Sequence, residues 1–164
     1  MGMVWVARLA DDAQVAKIMA DPDSAYDFVN PEEDFDDLAI VDLDKDWHGV
    51  HHLLTGSAEP IDNPLSLIVG DFEEVGEDNG YGPAWFVPSD RLRAFHEALS
   101  AVDGAELSNR YDPDAMVRDQ VYLGETYQDE GEHALEFLLE RIDELRKFAA
   151  HGAATGMGAF AVIT

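Results

Sequence analysis

The sequence predicts a single α+β domain: a small mixed or antiparallel sheet of three to five strands with helices packed largely on one face. Three observations lead there. β-patterned segments stand near both ends and in the middle of the chain, at 3–9, 65–69, 84–87 and 159–164. Apolar residues at helical spacing fill much of the rest, most clearly over 132–150. The two kinds of segment do not alternate regularly, as a doubly wound sheet would require. At 164 residues the chain fits one domain, 1–164. A domain of that length buries about 68–70% of its unfolded surface and needs no metal or disulfide to hold it. No repeat recurs at a period of about 20–50 residues.

Taken in order, Val4 and Val6 oppose Met3 and Trp5 in a first strand. Asp11 and Gln14 form a capping-box-like start to a helix over 12–20, with Val15, Ile18 and Met19 on its apolar stripe. Asp21-Pro22 stops that helix and starts a short one burying Ala25, Phe28 and Val29. The acidic run Glu32–Asp37 reads as a surface loop or helix start. A helix from Asp44, as N-cap, to Leu54 ends at Thr55-Gly56. Leu65–Val69 reads as a strand, and Gly76 to Pro83 as a long turn-rich stretch. After the strand at 84–87, Pro88-Ser89-Asp90 opens a helix carrying Leu92, Phe95, Leu99 and Val102, closed by Asp103-Gly104. Helices over 105–111 and from Pro113 precede the long one, and a glycine-rich link at 152–158 leads to the last strand.

The net charge of −25 comes from 35 acidic against 10 basic residues, with no basic stripe. Nucleic acid is excluded as a partner, because phosphate backbones are bound through Lys and Arg. Anionic membrane surfaces are disfavoured for the same reason. The acidity serves solubility, salt adaptation or self-repulsion, or else it presents an acidic face to a basic protein partner. The absence of cysteine removes disulfides, thiolate nucleophiles and Cys–zinc sites. Residues 1–9 lack the basic and apolar regions of a signal peptide, and no run of 18 apolar residues occurs, so a cytoplasmic location is expected.

Chemistry-bearing residues concentrate at 42–56, where Asp42, Asp44 and Asp46 stand beside His48, His51 and His52. On a helix the three histidines share one face, and His at i and i+4 can bind zinc. A zinc-protease helix needs Glu directly after its first His, and Gly49 stands there instead. A calcium loop counted from Asp42 needs Gly and Glu where Trp47 and Leu53 occur. No metal is expected. The simpler reading puts Trp47, Val50 and Leu54 in the core with the histidines along its edge. Gly80-Tyr81-Gly82 is followed by Pro83, and Gly156-Met157-Gly158 by a strand, so neither opens a helix for a dinucleotide. No cofactor is expected. Tyr81, Trp85 and Phe86 could line a pocket, although core and turn packing account for them as well.

Met1-Gly2-Met3, the block Leu43-Asp44-Lys45 with Trp47, His51 and Leu54-Thr55-Gly56, and Pro64-Leu65-Ser66 before Gly70 resemble the YfbM-like family of bacterial proteins. Gly80-Tyr81-Gly82-Pro83, Tyr111-Asp112-Pro113 and Val121-Tyr122 are similar to its later landmarks. The resemblance implies a small α+β domain of unknown function, with no catalytic residues to carry over. It singles out Trp47 and His51 and leaves His48 and His52 particular to this chain. The family pattern has a proline after Val121-Tyr122, where this chain has Leu123. Two function classes follow. One is a non-catalytic acidic binding protein, for example of immunity type, with Asp44, Lys45, Trp47, His51 and Tyr81 as candidate binding residues. The other is a small enzyme using His51 with Asp44 or Asp46 for acid–base chemistry.

Overall fold

Among the described residues, five strands form one antiparallel sheet: β1 (Trp5–Ala10), β2 (Ile40–Asp42), β3 (Glu73–Val75), β4 (Ala84–Val87) and β5 (Gly158–Ile163). Their order across the sheet is β2-β1-β5-β4-β3, so the first and last long strands lie side by side, Trp5 opposite Ile163 and Ala10 opposite Gly158. The computed structural model describes residues 2–30 and 37–164; most of the acidic run, 32–36, lies outside the described residues.

The strand period of two separates the two faces. Trp5, Ala7 and Leu9, with Val87, Ala159 and Ala161, belong to the larger core. That core is completed by α3 (Trp47–Thr55), α4 (Ser89–Ser100), α5 (Gly104–Arg110), α6 (Pro113–Arg118), α7 (Gly124–Glu130) and α8 (Glu132–Thr155). Val6, Ala10, Phe160 and Val162 look the other way, onto Ile18 of α1 (Asp12–Ala20) and Ala25 and Val29 of α2 (Ala25–Val29). Helices therefore lie largely on one face, with the two short ones covering the other. Among the described residues no helix is long and apolar enough to cross a membrane.

Several local readings hold in detail. Asp11 accepts the Gln14 N–H at 2.8 Å while the Gln14 side chain accepts the Asp11 N–H at 2.9 Å, a complete capping box. Asp112 accepts the Ala115 N–H with Pro113 in the first turn of α6. Others are corrected. Residues 65–69 form no strand; Leu65, Leu67 and Ile68 are buried in an irregular segment, where the Leu65 N–H donates to Asn63 Oδ1 and the Val69 carbonyl accepts the Ser66 hydroxyl in place of a ladder. β2, β3 and α7 are additional elements. Asp44 is not the N-cap of α3: it sits in the left-handed region at φ 49, its N–H is taken by Asp42 Oδ1 at 2.7 Å, and a 3-10 turn at 44–46 precedes the helix. Pro88 is the N-cap of α4 and Ser89 and Asp90 already lie within it. The helix read as ending near 150 runs on to Thr155, through Gly152. An added Cβ at Gly152 would meet Leu92 at 2.5 Å and Leu9 at 2.8 Å, so the glycine belongs to the helix–sheet contact and not to a link.

Candidate functional site

α3 is short, nine residues, and almost wholly buried from Trp47 to Leu54. Gly56 closes it at φ 74, donating its N–H to the His52 carbonyl at 2.7 Å. Trp47, Val50 and Leu54 enter the core as the spacing predicts. The Trp47 indole N–H donates to the Met3 carbonyl at 3.0 Å, and its ring stacks on His48 and Tyr122.

Two of the three histidines lie deeper than the core edge, His51 at 0% and His52 at 5% exposed, while His48 is half-buried along it. Each holds a separate piece of structure. His48 Nδ1 accepts the Tyr122 N–H at 2.9 Å, which leaves Nε2 to donate to the Ala58 carbonyl, also at 2.9 Å. That pair of bonds fixes the neutral tautomer, and burial lowers the ring's pKa against the opposing pull of the Ala58 carbonyl. His51 Nε2 donates to the Glu59 carbonyl at 3.0 Å, and burial brings its pKa down to about 4. His52 Nε2 meets Asp119 Oδ2 at 3.0 Å, tying α3 to the end of α6. Among the described residues, no three His, Asp or Glu side chains gather as a metal site.

Neither aspartate proposed to orient His51 is joined to it. Asp46 accepts the Tyr127 hydroxyl at 3.0 Å, and its second oxygen lies 3.6 Å from Arg141 Nε. Asp44 lies 3.8 Å from the same guanidinium and Glu144 3.4 Å from it. Asp44 and Lys45 are exposed. Tyr81 is 45% exposed in the turn joining β3 and β4, whereas Asp44 follows β2 at the opposite edge of the sheet. The structure thus brings Asp44, Lys45, Trp47 and His51 into one region and leaves Tyr81 outside it. Phe86 packs on Phe160, ring centres 5.2 Å apart, on the face opposite the larger core.

Two residues invisible to local reading complete this region, Tyr127 and Arg141. The signal that points to Tyr127 is Gly49. Glycine inside a helix costs about 1 kcal/mol relative to alanine and so marks a close approach. A Cβ at Gly49 would stand 2.6 Å from the Tyr127 ring. Beside Arg141 lies a groove of about 490 Å³ between β2 and α8, where Asp42, Asp44 and Glu144 rim a floor that includes Val41 and Phe148.

Leu123 occupies the position where a proline was anticipated, and its φ of 66 explains the difference. Proline is locked near φ −65° and cannot adopt the left-handed conformation that starts α7 here.

The crystal structure of YfbM from Escherichia coli, a protein of unknown function, is similar over 98% of this chain and 99% of that one, with a TM-score of 0.72 and 21% identity. At that identity the likeness establishes the fold. No curated protein matches. A family model described as a domain of unknown function, DUF1877, matches residues 1–162, nearly the whole length. The chain belongs to the DUF1877 family.

Proposed function

We propose that this chain is a non-catalytic binding protein of the bacterial cytoplasm whose acidic surface engages a basic protein partner, in the manner of an immunity-type protein. The observation that carries this reading is how the positive charge is used. Arg8 donates to the Phe28 carbonyl, Arg110 to Leu54, and Arg146 to both Leu99 and Val102. Three arginines thereby close the C-terminal ends of α2, α3 and α4, where exposed carbonyls carry partial negative charge. Arg118 pairs with Asp119, and Arg141 is surrounded by Asp44, Asp46 and Glu144. Exposed acids such as Asp62, Asp71, Glu73 and Glu74 form no ion pair among the described residues. With a net charge of −25, the surface field steers basic partners inward and repels acidic ones.

The groove between β2 and α8 suits such a partner. Its carboxylates outnumber its cations, and Leu38 and Ile40 offer apolar surface for the stem of a lysine or arginine. The alternative, His51 working as a base with Asp44 or Asp46, draws no support from the geometry, since His51 is buried and bonded to a backbone carbonyl. The test is capture from native cytoplasm by the immobilised protein at low ionic strength, followed by a salt gradient. The reading expects a basic protein to be retained and then released as screening shortens to about 3 Å near 1 M salt. Retention of nothing, or of a partner indifferent to salt, contradicts it.

A further inference from the structure

We propose that the outer edge of β2 takes up an extended basic segment of the partner as an added strand, whose side chains enter the groove between β2 and α8. The inference rests on the basic-partner reading and gives it a binding geometry. β2 stands at one end of the sheet and is paired only with β1. Along an antiparallel strand, residues alternate between those bonded to the neighbour and those whose main-chain groups point away. Leu43, just past β2, donates its N–H to the Trp5 carbonyl at 3.0 Å, so Trp5 and Leu43 are a bonded pair. Two residues further along, Ala7 and Val41 repeat the bonded position. Asp42, opposite Val6 between them, therefore turns its N–H and carbonyl away from β1. Neither group has a partner among the described residues; only the Asp42 side chain is engaged there, accepting the Asp44 N–H. Asp42 is exposed, and its free donor and acceptor are open to a strand laid alongside.

The groove follows this edge. Ile40, Val41 and Asp42 line it in succession. Successive side chains of a strand point to opposite faces, so a groove that touches all three meets β2 along its edge. Val41 belongs to the larger core, on the side where α8 packs, and Asp42 faces the other side. On an added strand, the residue opposite Asp42 would share its side and stand within reach of its carboxylate. The residues on either side of that one would point into the groove of about 490 Å³, toward Glu144 of α8.

Charge selects the occupant. Asp42, Asp44 and Glu144 favour lysine or arginine at these positions. A second copy of the chain would bring its own net charge of −25 and is repelled, which guards the edge against self-pairing. β2 contains no proline to block pairing. It is three residues long, and the chain then leaves into the 3-10 turn at 44–46. Main-chain bonds to so short an edge are few, so the carboxylates must supply the remaining attraction. An acidic or neutral strand is thereby rejected.

The test uses a short, end-blocked peptide of alternating lysine and valine, and the same peptide methylated at every backbone nitrogen. The two carry equal charge, so unspecific attraction cancels between them, but the methylated one has no N–H to pair with a strand. At low ionic strength the unmethylated peptide is expected to bind about tenfold tighter. At saturation it should slow solvent exchange of the Asp42 amide, followed by NMR, about tenfold or more. Equal affinities, an Asp42 amide that exchanges as fast with the peptide as without it, or binding of neither peptide overturns the strand addition. The basic-partner reading then stands or falls separately, on capture from the cytoplasm. Line broadening that grows with protein concentration in the absence of peptide would make a second copy the occupant and would equally overturn the proposal.

Discussion

Tyr127 reaches across 81 residues of sequence to donate its hydroxyl hydrogen to Asp46 Oδ1 at 3.0 Å. Burial raises the pKa of that hydroxyl above the ordinary range, and the charge of Asp46 adds to the effect. Arg141 stands on the other carboxylate oxygen of Asp46. An aspartate whose sequence neighbours suggested acid–base chemistry therefore fastens α7 and α8 to the start of α3.

The contact depends on Gly49. Gly49→Ala is expected to destabilise the fold by about 1–3 kcal/mol in urea melts, because its Cβ would press on the Tyr127 ring. In an open helix the same change would stabilise by up to about 1 kcal/mol. A stabilised variant would mean that the ring is not held against the helix.

His51 makes stability depend on pH with a definite sign. Its folded pKa is about 4, below its ordinary 6.5, so the unfolded chain binds the extra proton first. Its contribution is complete above about pH 6.5 and is lost as pH falls through the window down to about 4. The size is on the order of 3 kcal/mol across that window. His48 and His52 disfavour the charged ring, while the Glu59 carbonyl to which it is bonded favours it. Subtracting the curve for His51→Gln from that of the unaltered protein removes the carboxylates common to both. The difference should shrink as pH falls from 6.5 to 4, and a difference that stays constant would mean that the buried ring is not held neutral.

Gln120 is exposed and holds φ 60, a conformation unfavourable to a side chain. Gln120→Gly should raise stability by up to about 1 kcal/mol in thermal or urea melts, relief of strain outweighing the added freedom of the unfolded chain. A loss of stability would show that the side chain contributes more than its backbone costs.

What could be read from sequence was what neighbours in the chain decide. Asp11 and Gln14 specify the start of α1 by themselves, and Leu92, Phe95 and Leu99 specify the buried stripe of α4. β3 was hidden because Glu73 and Glu74 lie on an edge strand, where exposed charge is favoured and the apolar alternation that marks a strand is absent. Leu65 to Val69 misled in the opposite direction, since a short apolar run fits a buried irregular segment as well as a strand. In the candidate site, the spacing of Trp47, Val50 and Leu54 was enough to bury them. The partners of the histidines were not legible. Ala58 and Glu59 offer only backbone carbonyls, and Asp119 lies 67 residues from His52. Tyr127 and Arg141 join Asp46 only through tertiary packing.

The proposal of an acidic binding surface is tested most directly by separating position from net charge. One variant carries Asp42→Asn, Asp44→Asn and Glu144→Gln in the groove between β2 and α8. A control carries Asp71→Asn, Glu73→Gln and Glu74→Gln in and beside β3, at the far edge of the sheet, and changes the net charge equally. The measurement is the affinity of the captured basic partner for each at low ionic strength. The account predicts a loss of about tenfold or more for the groove variant and a change within about twofold for the control. Equal weakening of both, or no weakening of either, would contradict it.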